Sequence, residues 1–310
     1  MFYAAPCIDC TIDDFIVLYN SCMKQSSQKN VLTIGIPVYN NTCDLLLCLE
    51  SLKHSTVPYE LLIVDDASTE NVRSVVGVAI ENGWLSDASS VCYMCNSHNR
   101  GFPHNANVIL AESNGKIVCI LNSDTYVCPG SFEQMCEVLD SDDDVLVAGP
   151  STCSANSPQA LSEYIGNTRI SESEILARGE VVRKRYGDEV VVLAQESTNS
   201  QVQGFCYIIK REAIERVGYF DEVYKRGMFE ESDFDSRVEH LGYRALWVKG
   251  AYVHHFGGAS FERLTFATLR RVVLFLRNMH LWKKKRARMT QNNVKDVYRT
   301  APDYTKERML

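Results

Sequence analysis

Nothing in these 310 residues approaches the ~20 consecutive apolar positions of a membrane-spanning helix, which excludes a chain threaded through a bilayer as helices. The start of the chain lacks the charged stretch and apolar core of a secretory signal. An excess of positive charge is missing too: 32 Lys and Arg stand against 39 Asp and Glu, net −7, which argues against non-specific nucleic-acid binding. No Gly-x-Gly-x-x-Gly follows the first strand-like run and no Walker Gly-Lys-Ser/Thr loop occurs, so ordinary dinucleotide and P-loop binding lose most of their support. The twelve cysteines do not form a zinc module. Cys7 and Cys10 lie much further from Cys92 and Cys95 than the ~15–20 residues usual between such pairs, and positions three apart on a strand face opposite ways. In a long chain without a signal, so many cysteines imply a reducing compartment and a cytoplasmic protein.

What is present is a series of short apolar runs that end in acids. Ile117–Leu121 reads as a buried strand, and polarity flips at Asn122, Ser123, Asp124 and Thr125. In a parallel α/β sheet the carboxyl ends of strands open onto the ligand crevice, so Asp124 is poised to face a ligand or a hard divalent cation that draws its other oxygens from a diphosphate. The competing expectation is that Asp124 caps the turn into a helix from Ser131. Residues 31–36 form an earlier strand ended by Pro37, followed by a turn at Tyr39 and Asn40 and a helix over 43–54. Residues 61–64 form another, ending in Asp65 and Asp66. Strands over 91–94 and 145–148 complete a βα alternation that predicts a parallel, Rossmann-like sheet. After residues 91–94, Gly101 permits close backbone approach at a helix start that suits an anion.

Residues 150–200 read as polar and irregular, with a basic patch at 178–185 and a strand over 190–193. Beyond them come a strand over 204–209, a helix over 211–217, and a helix opened by Glu230, Glu231 and Asp233. Acids in a first turn are favoured by the helix dipole, but five between Asp221 and Asp233 point to a base, a metal or a sugar-binding edge. Short strands over 243–248 and 252–253 precede His254 and His255, of which one should point inward as a metal ligand. Residues 15–19 are expected as a short helix. Residues 261–288 are expected as a basic helix, either docked on the main body or in peripheral contact with an anionic membrane or lipid-linked acceptor.

Six motifs in this order resemble family-2 glycosyltransferases of the GT-A fold, in particular their rhamnosyltransferase-like branch. They are Ile36-Pro37-Val38-Tyr39-Asn40, Val64-Asp65-Asp66-Ala67-Ser68, Asn99-Arg100-Gly101-Phe102, Leu121-Asn122-Ser123-Asp124, Gly204-Phe205-Cys206, and Phe229-Glu230-Glu231-Ser232-Asp233 through Arg237. The resemblance implies an α/β GT-A fold with a mostly parallel central sheet flanked by helices. It also implies an N-terminal extension over 1–30, a glycosyltransferase domain over 31–260 with its nucleotide-sugar half at 31–150 and its acceptor half at 150–260, and a basic helical extension over 261–310. By the same resemblance Pro37, Tyr39, Asp65 and Asp66 hold the base and ribose of a nucleoside-diphosphate sugar. Asn99, Gly101, Asn107, Ser123 and Gly204 line the donor site. Asn122 stands where the family's Asp-x-Asp has its first acid, leaving Asp124 as the main ligand of Mn2+ or Mg2+, with His254 or His255 as another. Glu231 falls where the family has the Asp of a Glu-Asp pair, its general base, and Glu230 can substitute.

The implied reaction is a single inverting displacement onto an acceptor hydroxyl of a glycan, glycoprotein or lipid. The alternatives are a nucleotidyltransferase, which should carry a Gly- and Arg/Lys-rich loop after the first strand where 37–41 has none, and a catalytically silent sugar-nucleotide-binding scaffold, permitted by Asn122 and Glu231.

Overall fold

A computed structural model describes residues 16–20, 32–154, 158–166, 168–193, 201–257 and 265–289. The apolar runs become strands: β1 (Ile16–Asn20), β2 (Leu32–Val38), β3 (Tyr59–Asp65), β4 (Ala88–Cys95), β5 (Ile117–Leu121), β6 (Thr125–Val127), β7 (Val145–Ser151), β8 (Val190–Val192), β9 (Cys206–Lys210) and β10 (Arg244–His255). Between and after them lie α1 (Thr42–Ser51), α2 (Val72–Glu81), α3 (Phe102–Glu112), α4 (Ser131–Ser141), α5 (Glu172–Tyr186), α6 (Arg211–Val217), α7 (Glu230–His240) and α8 (Thr265–Arg286). The strands make one sheet in the order β1-β4-β3-β2-β5-β9-β7-β10-β6, with β8 paired to β10.

Alternation along β3 shows why these runs read as continuously apolar. Leu61 and Ile63 face a layer holding Leu45 and Leu49 of α1, Val76 of α2 and Met135 of α4. Leu62 and Val64 face the opposite layer, with Ile109 of α3, Ala213 of α6 and Phe234 of α7. A strand covered on both faces has no polar side to display.

Strands β4, β3, β2 and β5 run parallel, as the βα alternation predicts. Strand β9 then enters antiparallel between β5 and β7, and β10 returns parallel to β7. The fold is α/β with a mixed, mostly parallel central sheet flanked by helices, of GT-A type, and it ends in α8.

Three expectations change. Residues 16–20 are an antiparallel edge strand on β4 instead of a helix, because a short apolar run carries no period that separates the two. The region expected as irregular contains α5, opened by a capping box in which Ser171 and Glu174 each satisfy the other's backbone N–H. Only Ile175, Gly179 and Val182 of that helix are buried, a stripe too thin to stand out from its charges. The two short strands before the histidines are one continuous strand, β10. Cys7 and Cys10 lie outside the described residues, while Cys92 and Cys95 sit on β4 and form no disulfide. Among the described residues no helix is long and apolar enough to cross a membrane.

Candidate active site

The sheet topology brings the strand-end acids together. Because β2, β3 and β5 are parallel, their carboxyl ends share one edge, and the antiparallel β9 presents its amino end there: the Asn122 N–H donates to the Phe205 carbonyl at 2.9 Å. Past β7, β10 continues to pair antiparallel with β6, setting His255 opposite Thr125, and the Phe256 N–H donates to the Asp124 carbonyl at 2.9 Å. Asp124 Oδ1 therefore lies 3.2 Å from His255 Nε2, and the His255 ring stacks on Phe205 at 5.4 Å between centroids. Burial pushes the Asp124 carboxyl up, but the His255 hydrogen bond and charge, its own backbone amide and the charge of Arg169 outweigh it, leaving the group below its ordinary value and ionised. The capping alternative for Asp124 falls away, since α4 starts behind Gly130 with no side-chain cap.

His254 occupies the other face of β10, so of the two histidines it is His255 that faces Asp124. Its Nε2–H donates to the Thr168 carbonyl at 2.8 Å, and Nδ1 lies 3.2 Å from the Tyr252 hydroxyl and 3.4 Å from Cys153 Sγ. Burial pushes its imidazole down to about 4, so the ring is neutral and pins the segment at Thr168. Alternation along a strand made it certain that the two histidines diverge, and the register with β6 decides which meets Asp124. Asn122 and Ser123 flank Asp124, half-buried. The Asn122 carbonyl closes the turn by accepting from the Thr125 hydroxyl at 2.7 Å.

Asp124 and His255 offer a carboxylate and an imidazole, and His255 Nδ1 is buried without a partner. Among the described residues no three His, Cys, Asp or Glu side chains form a closed metal cage. An open set of one hard oxygen donor and one imidazole fits a divalent cation that completes its shell with phosphate oxygens and water.

Glu230 and Glu231 open α7 across from this pair. Glu231 comes against Gly204, where an added Cβ would stand 3.6 Å from its Oε1 and 3.8 Å from the Phe102 ring. Glu230 lines Gly227, at 3.3 Å by the same measure. Each glutamate keeps a buried Oε2 with no partner. Burial, and then the charge of Glu231, hold Glu230 well above the usual carboxylate range. Burial also raises Glu231, but its own and the Gly204 amides and the Glu230 carboxyl hold it back. Of the pair, Glu230 is pushed up the more strongly and so holds a proton the more readily.

The other acids of this stretch are spent on structure. Asp221 caps the turn at Val223, Glu222 meets Asn107 and His104, and Asp233 pairs with Arg237 and Lys285.

On the side of β2 and β3, Pro37 is half-buried and Tyr39 is 45% exposed beside Asn40 and Asn41, both left-handed. Asp65 accepts from the Ser68 N–H at 2.9 Å and the Tyr93 hydroxyl at 2.6 Å. Asp66 accepts from Asn96, Arg100 and Gly101 at 2.7–2.9 Å. Both buried carboxylates thus shape the loops around the crevice. Gly101, at φ 90°, does make a close approach, but to the chain: an added Cβ would fall 2.2 Å from the Lys225 carbonyl. Asn99 is exposed in the same loop. Asn107 is corrected as a ligand contact: it is fully buried and its amide exchanges hydrogen bonds with the Phe220 backbone at 2.8 and 2.9 Å.

One residue had no motif to announce it. Arg169, beside the Thr168 carbonyl held by His254, clamps Asp44 of α1 at 2.6 and 3.0 Å and stacks on Phe256 at 5.3 Å. It brings a guanidinium within electrostatic reach of Asp124.

Comparison with known proteins bears on the fold and the family. Among solved structures the chain resembles the mannosyltransferase PcManGT of Pyrobaculum calidifontis in complex with GDP-Man and Mn2+, at 19% identity and TM-score 0.56, covering 83% of this chain and 65% of that one. It also resembles GalNAc-T7 with UDP, GalNAc and Mn2+, at 13% identity and TM-score 0.56, covering 83% and 50%. TarS 1-349 of S. aureus in complex with UDP-GlcNAc matches at 15% identity and TM-score 0.53, covering 85% and 69%. Identities this low show a shared fold. An uncharacterized Mycobacterium tuberculosis protein is 24% identical over 117 residues, 37% of this chain, and the match spans only 34% of that protein. Residues 33–217, more than half of the chain, match Glycosyl transferase family 2, and the chain belongs to that family.

Proposed function

We propose that this protein transfers a sugar from a nucleoside-diphosphate donor to an acceptor hydroxyl by one inverting displacement, with Asp124 and His255 holding Mn2+ or Mg2+ and Glu231 as general base. The observation that carries the proposal is the pairing of two unlike carboxylate sites at one sheet edge: an ionised Asp124 on His255, and a glutamate pair, Glu230 buried and Glu231 half-buried against Gly204, each with one buried oxygen that has no partner. The bound ion would neutralise charge on the departing diphosphate. Pro37 and Tyr39 form a surface for the base, while Asp65 and Asp66 act by fixing the loops that carry Ser68, Arg100 and Gly101. Asn99, Ser123 and Gly204 line the donor crevice. Glu231 Oε2 accepts the proton of the incoming hydroxyl, and Glu230, the more strongly raised of the pair, limits the negative charge in the pocket. Asn122, half-buried beside Asp124, contributes through its turn.

The nucleotide-sugar half is assigned to 31–150 and the acceptor half to 150–260, with 261–310 as an extension. On the six motifs taken together the chain is assigned to the rhamnosyltransferase-like branch. Solved relatives bound to GDP-Man and UDP-GlcNAc support a nucleotide-sugar donor of either base. The test is Glu231→Gln, which removes the base and keeps the size: sugar transfer should drop by ~100-fold or more, with nucleoside diphosphate affinity in calorimetry unchanged. Full transfer by this variant would remove Glu231 from the mechanism.

A further inference from the structure

Helix α8 is amphipathic twice over. Its inner face is docked: Asn278 and Trp282 are buried, Asn278 Nδ2 donates to three carbonyls of the 224–228 loop, and Lys285 reaches Asp221 and Asp233 at 2.6 Å. A second apolar face is left outside. Val272, Val273 and Leu276 are 48, 59 and 51% exposed, and their spacing puts them on one side of the helix, while Phe275 packs its ring on Phe229 at 5.2 Å between centroids and belongs to the docked face. Docking therefore leaves Val272, Val273 and Leu276 uncovered.

The charge along the helix indicates what the outer face meets. From 265 to 289 there are eight Lys and Arg and no Asp or Glu, in a chain whose net charge is −7. Lys285 and Arg286 are committed to acids of the main body. Arg277 is exposed but donates to the Val223 carbonyl and to Asn278, whereas Lys283 and Lys284 are exposed, and Lys283 follows Leu276 by seven residues, on the same side. An exposed apolar stripe continued by exposed lysines suits an interface where apolar side chains sink to the acyl boundary while lysine stems snorkel toward anionic headgroups.

We infer that the outer face of α8 is a docking surface for an anionic phospholipid membrane, on which the protein lies peripherally. The inference is independent of the sugar-transfer proposal, since vesicle binding is read with no donor present. Because the inner face of the same helix holds the loop that leads to Glu230, membrane contact and the proposed base share one element.

The test is cosedimentation of the full chain with vesicles of phosphatidylcholine alone and of phosphatidylcholine mixed with phosphatidylserine, alongside two double variants. Lys283→Glu with Lys284→Glu reverses the charge, and Val273→Gln with Leu276→Gln removes apolar area; all four positions are clear of the Asn278 and Trp282 contacts, and thermal melting checks the fold. The wild type should bind the anionic vesicles and leave the neutral ones, and each double variant should bind the anionic vesicles at least about tenfold more weakly. Equal binding to both vesicles, binding to neither, or variants that bind like the wild type would overturn the inference. So would a wild-type dimer on gel filtration that Val273→Gln with Leu276→Gln dissolves, since the face would then belong to a second copy.

Discussion

Acids at strand ends and helix starts in this chain separate by what satisfies them. Asp65 and Asp66 are saturated by neighbouring N–H and O–H donors and build loops, while Glu231 keeps an oxygen with no partner. Burial therefore does not by itself mark the chemical residues. Asp235 makes the contrast measurable. It is buried on α7, accepts from the Tyr207 hydroxyl and from the Val202 N–H at 3.0 Å, and burial, against those two bonds, pushes it up to about 8. An unfolded Asp titrates near ~4. Between those values the folded chain holds a proton that the unfolded chain has released, so this group's contribution to stability falls as pH rises through the window and levels off above 8, with a slope of order 1 kcal/mol per unit. Urea melts at stepped pH should show that decline, and Asp235→Asn should flatten it; a variant whose slope matches the wild type would place the titration elsewhere.

At the scale of elements, the proposed base depends on the helix that holds the loop before it. The loop before α7 holds Lys225, Met228 and Phe229 at positive φ, a conformation costing about 1–3 kcal/mol per non-glycine residue unless its surroundings impose it. Asn278 of α8 supplies that constraint through the Tyr224, Gly227 and Met228 carbonyls, at 3.1–3.2 Å. Asn278→Ala should loosen the loop and slow transfer by about tenfold or more, while nucleoside diphosphate affinity by calorimetry and a cooperative melt persist. Unchanged turnover would show the loop to be held by other contacts.

Elements also differ in how well the sequence announces them. Strands β2, β3 and β5 were legible because burial on both faces leaves uninterrupted apolar runs, and α7 because its acids follow a turn. Helix α5 was hidden by its charges, although Ser171 and Glu174 spell its capping box. The divergence of His254 from His255 was legible from alternation. The partnership of His255 with Asp124 was not, because it depends on the register of β10 against β6, a long-range pairing. Arg169 left no local signal, since its meaning comes from Asp44, Phe256 and Asp124, all distant in the chain.

In the whole molecule, the antiparallel entry of β9 between β5 and β7 is the feature that assembles the site. It carries Gly204 and Phe205 to the edge where parallel strands end, so that Phe205 supports His255 and Gly204 meets Glu231. The central claim is that this edge cleaves a nucleotide-sugar with a metal held at Asp124. The most direct measurement is release of nucleoside diphosphate from UDP-, GDP- and dTDP-sugars by the full chain with Mn2+, with EDTA, and in Asp124→Ala. The account predicts release from one of these donors that is lost with EDTA and falls at least ~100-fold in Asp124→Ala. Release that persists undiminished in Asp124→Ala or in EDTA would contradict it.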